Sequence, residues 1–157
     1  MAAVRATTKA LTKFIISTRN APSAVGAYNQ AVLIGPTLYI AGQIGLVPST
    51  MELAGRQGPS DKGDVKIETK QLLTNMGEIL KVVGGSYDNV VKTTIMLANI
   101  NDSADVNEIY KQFFTSNYPA RAGYQVSALP KGALVEIDAI AVIGEISETK
   151  IITETDT

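Results

Sequence analysis

Cysteine, histidine and tryptophan are all missing from this chain of 157 residues. Without cysteine there is no disulfide, no thiolate nucleophile and no cysteine-based metal site. Without histidine there is no imidazole general base, no Ser-His-Asp triad and no histidine-containing metal motif. Acid–base chemistry must therefore use carboxylates, Tyr, Lys, backbone groups or bound water. Acidic residues are missing locally as well: none precedes Glu52, whereas Arg5, Lys9, Lys13 and Arg19 do. No apolar run approaches the roughly 20 residues a membrane-spanning helix needs. Nor does a continuous apolar segment follow the early positive charges, as a secretory signal requires.

What remains is the composition of a single globular domain. Hydrophobic residues make up 45% of the chain and charged ones 18%, with a formal net charge of −1. A domain of this size buries about 70% of its unfolded surface, enough for one core. The balanced charge argues against a polyanion partner, so RNA binding has no support beyond the basic start of the chain. Residues 1–12 read as a tail or, being acid-free and rich in Ser and Thr with Arg, as an organelle transit segment. Residues 13–144 read as the domain and 145–157 as a polar tail. The expected location is the cytoplasm, with the mitochondrial matrix as the alternative.

Periodicity places the elements. Strands are expected at residues 14–16, 31–34 and 37–44, the last two around the Gly35-Pro36 turn. The polar, glycine-rich stretch 47–64 reads as an exposed loop. It has glycines at P-loop distance but no following Lys-Ser/Thr. Asp64 is placed to cap a helix to about Val83, with Leu72, Leu73, Met76, Ile79, Leu80 and Val83 on one face and Gly84-Gly85 ending it. Residues 90–98 form a β-branched strand. A second helix follows Asn101 and Asp102, with Val106, Ile109, Tyr110, Phe113 and Phe114 as its apolar stripe and Pro119 as its limit.

Strands at 121–129 and 134–143 are expected to pair as a hairpin around the turn Pro130 to Ala133. In that register Glu136 lies opposite Ser127 and Arg121 opposite Val142, about 20 Å apart along the strand. Val135, Ile137, Ala139, Ala141 and Ile143 should meet the helices. The other face carries Glu136, Asp138, Ile140 and Val142, a mixture suited to a subunit interface with a polar cleft at its edge, or to a solvated face with two stray apolar residues. The order is β-β-β-α-β-α-β-β, an α+β domain with one sheet and both helices on one face.

Arg121 and Glu136 are the informative polar pair, because Arg suits bidentate carboxylate recognition and Glu136 interrupts a core strand. The run PARAGYQVSALPKG from Pro119 to Gly132, followed by Val135-Glu136-Ile137, resembles the signature of the Rid/YjgF family. The stretches APSAVGAYNQA from Ala21 and YIAGQIG from Tyr39 agree, as do Asn75 to Leu80 and Val91 to Thr94. The resemblance covers roughly residues 14–144 and is closest to the animal members.

It implies a chorismate-mutase-like homotrimer with clefts between subunits. It also implies cofactor-independent, metal-free hydrolysis of 2-aminoacrylate and other 2-imino acids to 2-keto acids and ammonia. Arg121 would hold the substrate carboxylate and Glu136 would position or activate water. Tyr28 would line the cleft, and the backbone near Gly123 would contact the imine nitrogen. Ala41 stands where many members have Ser, Ser103 where they have a pocket Phe, Gly123 where bacterial members often have Cys, and Ala27 where Pro is usual. The smaller residues at 103 and 123 imply a larger pocket, and Ala41 a lost polar contact. The family also offers non-catalytic readings, chaperone-like or translation-inhibiting, and an endoribonuclease reading.

Overall fold

A computed structural model describes residues 10–58 and 60–151. The expected tail at residues 1–12 lies largely outside the described residues, as does the end of the 145–157 segment. Eight regular elements follow the expected order: β1 (Lys13–Ile16), β2 (Ala31–Ile34), β3 (Thr37–Ile44), α1 (Val65–Val82), β4 (Val90–Leu97), α2 (Ser103–Phe113), β5 (Ala120–Gln125) and β6 (Val135–Val142). They build one six-stranded sheet in the order β1-β2-β3-β6-β4-β5.

Local chemistry sets the helix limits. The Asp64 carboxylate accepts from the backbone N–H groups of Lys66 and Ile67, satisfying two donors that α1 cannot satisfy itself. Beyond α1, Gly84 takes φ +71°, the left-handed geometry that suits glycine. Leu72, Leu73, Met76, Ile79 and Leu80 from α1 are fully buried, as are Val135, Ile137 and Ala141 from β6. Helix α2 adds Val106, Ile109 and Tyr110 to the same core, with Phe114 just beyond its end. One face of the sheet is thus covered by helices, as the alternation in β6 requires.

The expected hairpin does not form. Strand β5 runs parallel to β4, and β6 lies on the other side of β4, antiparallel to it. Helix α2 returns the chain so that β5 runs in the direction of β4. The segment 126–134 then crosses the end of β4, where the Ala98 N–H bonds the Leu134 carbonyl at 3.0 Å. Pro130–Gly132 is a 3-10 turn within that crossing, not a hairpin loop. The exchange has a physical basis. Strand β6 alternates cleanly, and a strand buried on one face gains most from neighbours on both edges. Strand β5 is rich in Ala and Gly, ends at Gln125, and all six of its residues are exposed, as befits an edge.

Among its described residues the 47–64 loop is partly packed rather than wholly exposed. Leu46 and Leu53 bridge it and pack with Ala133 in a small second core. Glu68, fully buried in the first turn of α1, accepts from Arg56 Nη2 at 2.7 Å and from the Leu134 N–H at 2.8 Å. Arg56 Nη2 also donates to the Gly132 carbonyl at 2.7 Å. The loop, α1 and the approach to β6 are therefore tied by one buried carboxylate with both oxygens engaged.

Candidate functional site

The six site residues expected from sequence fall into two groups on opposite faces of the sheet. Glu136 lies on the uncovered face of β6, level with Ile44 of β3 and Met96 of β4. Between Ile40 and Gln43 the β3–β6 register shifts, so Ala41 and Gly42 together oppose Asp138. This bulge re-aims the strand. Gly42 lies against the Glu136 side chain: a Cβ there would fall 2.9 Å from the carboxylate carbon. Tyr28, Ala41, Gly42, Pro130, Lys131 and Glu136 are among the residues around a cavity of about 320 Å³. Burial raises the pKa of half-buried Glu136 above the usual carboxylate range, and the neighbouring Asp138 raises it further.

Two supports of this group had no signal strong enough to single them out in the sequence. Gln30 is buried, its side-chain oxygen accepting from the Thr18 N–H at 2.6 Å and its amide nitrogen reaching the carbonyls of Thr18, Ala21 and Pro22. It pins the loop before Tyr28 against the sheet. The Arg56–Glu68 pair fixes the turn that brings Pro130 and Lys131 to the cavity rim. Lys131 Nζ also donates to the Met51 carbonyl at 2.6 Å.

Arg121 belongs to the other face. Its register partner Thr93 is buried beneath the helices and is level with Ala139. The guanidinium donates from Nη1 to Asn107 Oδ1 at 3.0 Å and lies 5.0 Å from the centre of the Tyr110 ring. Tyr110 is fixed in turn by a 2.9 Å bond to Thr93 and by stacking on Phe114. Burial pushes its phenol pKa up, while Thr93 and Arg121 act in the opposite sense. Among the described residues no carboxylate pairs with Arg121. Gly123 and Ser103 share a cleft of about 290 Å³ with it.

Within one chain these groups cannot meet on a small molecule. From Glu136 to the level of Arg121 is three residues along and two strands across, about 10 Å each way, and the side chains leave opposite faces. The separation expected along one hairpin is thus replaced by a separation through the sheet. Each group alone is incomplete. One offers a cation that can bind an anion, the other a carboxylate that can accept a proton.

The uncovered face carries a cross-strand apolar row, Ile15, Val32, Tyr39 and Ile140. Ile15 and Tyr39 are about half exposed, at 52% and 49%.

Comparison with known proteins gives a consistent result. The family model described as Endoribonuclease L-PSP matches residues 18–143. A human protein named 2-iminobutanoate/2-iminopropanoate deaminase is 55% identical over 137 residues, covering 87% of this chain and 95% of its own length. The rat protein of the same name is 56% identical over 130 residues, covering 83% and 90%. Among solved structures, a protein from Entamoeba histolytica described as a putative endoribonuclease L-PSP has a TM-score of 0.77 at 41% identity, covering 84% of this chain and all of its own. TdcF from E. coli, solved with bound serine, has a TM-score of 0.76 at 37% identity, covering 83% and 99%. With a family model, relatives of more than half identity and solved structures all matching over most of its length, the chain belongs to the endoribonuclease L-PSP (YjgF/Rid) family.

Proposed function

We propose that the protein hydrolyses 2-imino acids, and their enamine tautomers, to 2-keto acids and ammonia at sites shared between subunits of a cyclic homotrimer. The observation that carries this reading is the split just described. A fixed guanidinium with no acidic partner among the described residues and a carboxylate whose pKa burial raises lie on opposite faces of one sheet, in a chain 55% identical to a named imine deaminase.

The chemistry asks little of the protein. An iminium carbon is already electrophilic, so orientation of substrate and water is the main requirement. The planar fork of Arg121 holds the substrate carboxylate. Glu136 of a neighbouring subunit accepts a proton from water as its oxygen bonds to the imine carbon. The resulting carbinolamine takes that proton from Glu136 onto nitrogen, its C–N bond breaks, and ammonia leaves as the hydroxyl returns its proton to the Glu136 carboxylate and the carbonyl forms. Tyr28 and Ala41 line the Glu136 side, while Ser103 and the Gly123 backbone line the Arg121 side. The apolar row on the uncovered face supplies the surface for subunit contact.

Two measurements test the reading. Light scattering after size exclusion should give about three times the 16.6 kDa chain mass. A freshly generated imino acid should then release ammonia faster with the protein present than without it. The decisive version mixes Arg121→Ala and Glu136→Ala chains, each inactive alone. Each site needs an intact Arg from one chain and an intact Glu from its neighbour. Random reassembly of cyclic trimers should therefore restore about a quarter of the sites. No recovery in verified mixed trimers would mean that the shared-site model, or one of the two roles, is wrong.

A further inference from the structure

Gln43 is only 6% exposed, yet half of its amide is unused. Its Nε2 donates to the Ala41 carbonyl at 3.0 Å. That bond fixes the orientation of the amide, because a carbonyl can accept from the nitrogen but offers nothing to the oxygen. Among the described residues no group donates to Gln43 Oε1, and none of their buried side-chain oxygens or nitrogens lacks a partner. Oε1 is therefore not sealed within the protein. It reaches open space, and the open space that Gln43 borders is the cavity it shares with Glu136.

The β3 bulge brings the amide and the carboxylate together. Gln43 directly follows the bulge residues Ala41 and Gly42. The Ala41 N–H donates to the Gln30 carbonyl at 3.0 Å, and the Ala41 carbonyl accepts from Gln43. At Gly42 the Glu136 carboxylate takes the space of the missing side chain, its carbon 2.9 Å from where a Cβ would stand. The amide is thus held to the carbonyl of the Ala41–Gly42 peptide, and the carboxylate lies against the glycine that follows it. A water held by Glu136 alone is tethered by one hydrogen and can turn. A second acceptor in the same cavity would stop that rotation.

We infer that Gln43 Oε1 and the Glu136 carboxylate together hold the attacking water, each accepting one of its two hydrogens. The inference rests on the hydrolase reading. A water that donates both hydrogens to the protein has its lone pairs left for the imine carbon. One O–H bond breaks as Glu136 takes the proton, the oxygen bonds to carbon, and the C=N electron pair moves to nitrogen. The other hydrogen stays on the new hydroxyl, donated to Gln43. An amide oxygen suits this place because it accepts without carrying charge. A carboxylate there would repel Glu136 and raise its pKa further.

The direct test is a crystal structure of the wild-type protein in its native assembly. One ordered water is expected about 3 Å from both Gln43 Oε1 and a Glu136 oxygen. No water between them, or Oε1 bonded to a side chain of a neighbouring subunit, overturns the inference.

Kinetics give the second test, with the alanine-derived imino acid generated in place by an L-amino-acid oxidase. Gln43→Met keeps the length of the side chain and removes the acceptor. Its kcat should fall roughly five- to tenfold, the worth of one neutral hydrogen bond, with KM little changed. Gln43→Glu should move the acidic limb of the kcat profile to higher pH, through like charge beside Glu136. A role confined to packing or to the Ala41 bond would leave that limb in place. Thermal unfolding and light scattering establish that each variant is folded and assembled, and the wild-type crystal decides the matter if neither is. Wild-type kcat in folded Gln43→Met, or an unmoved limb in folded Gln43→Glu, overturns the inference and leaves the hydrolase reading intact. A wild-type protein that hydrolyses no imino acid overturns both.

Discussion

The Glu136 group and the Arg121 group are built by different means. Glu136 stands on a central strand between β3 and β6's other neighbour β4, beside a bulge, and two residues beyond a segment tied to the buried Glu68. Core packing fixes its position. Arg121 stands on an exposed edge strand, and only a side chain of α2 and an aromatic ring steady it. One half of the site is set by the fold of a single chain. The other is anchored at a margin and, in the shared-site proposal, gains a function only when a neighbour supplies the missing carboxylate. Substitutions in the first group should therefore act through stability as well as rate, and those in the second mainly through rate.

The largest expected effect is on stability. Arg56→Met leaves the Glu68 carboxylate buried without its cation. Removing one partner of a buried ion pair costs about 3–5 kcal/mol. Urea unfolding should register a loss of that order, and Arg56→Met combined with Glu68→Gln should recover part of it. A loss below about 1 kcal/mol would show that the pair behaves like a surface contact and that the contrast between the halves is overstated.

Next comes a rate effect without a stability effect. Arg121→Lys keeps the charge but not the planar fork. The loss of charge-assisted bonds to a carboxylate is worth about 1.5–3 kcal/mol, or roughly 10–150-fold in kcat/KM. The midpoint of unfolding should barely move, since all of β5 is exposed. Wild-type turnover in a folded Arg121→Lys protein would remove Arg121 as the clamp.

The same contrast explains what could be read from sequence. Both helices and the clean face of β6 were legible, because capping and periodicity are local: Asp64 does cap α1, and Val106, Ile109 and Tyr110 are buried as their spacing requires. Strand pairing was not legible. Pro130 to Gly132 has the chemistry of a hairpin turn, and nothing local reveals that β4 lies between β5 and β6. Arg121 and Glu136 were individually conspicuous, but their assignment to opposite faces depended on that pairing. Glu68 was missed although it left a trace. It sits on the helical stripe with Val65, Leu72 and Ile79, where a charge without a buried partner would be costly. Gly42 left a trace too, as a glycine inside a strand pattern.

Gly42→Ala gives a smaller, geometric test of the Glu136 half. The added methyl would overlap the Glu136 carboxylate, which must swing away. Because the obstacle is the end of a flexible side chain, the fold should survive with a cost of about 1 kcal/mol. Displacing a general base from its water should lower kcat by about tenfold. Circular dichroism with steady-state kinetics distinguishes this outcome from simple unfolding. Unchanged kcat would mean that the carboxylate position seen here is not the one used in turnover.

The smallest effect is a displacement on the pH axis, and it separates the halves most cleanly. Burial is the main reason that Glu136 has a raised pKa, and the like charge of Asp138 is the second. Only the ionised carboxylate can accept a proton from water, so activity should fall as pH drops through this raised pKa. The acidic limb of kcat/KM should thus lie above the usual glutamate range. Asp138→Asn removes the second cause and leaves the first. The limb should move to lower pH without reaching the ordinary value. Stability should run the opposite way with pH. A carboxyl whose pKa is higher folded than unfolded contributes stability below the unfolded pKa and loses it as pH rises through the folded one. Lowering the folded pKa by Asp138→Asn should make this loss smaller at neutral pH. Asn107→Ala, which loosens Arg121 on the opposite face, should raise KM and leave the limb in place. If Asn107→Ala moved the limb as far as Asp138→Asn does, the titrating group would belong to the Arg121 side, and Glu136 would lose its role as the base.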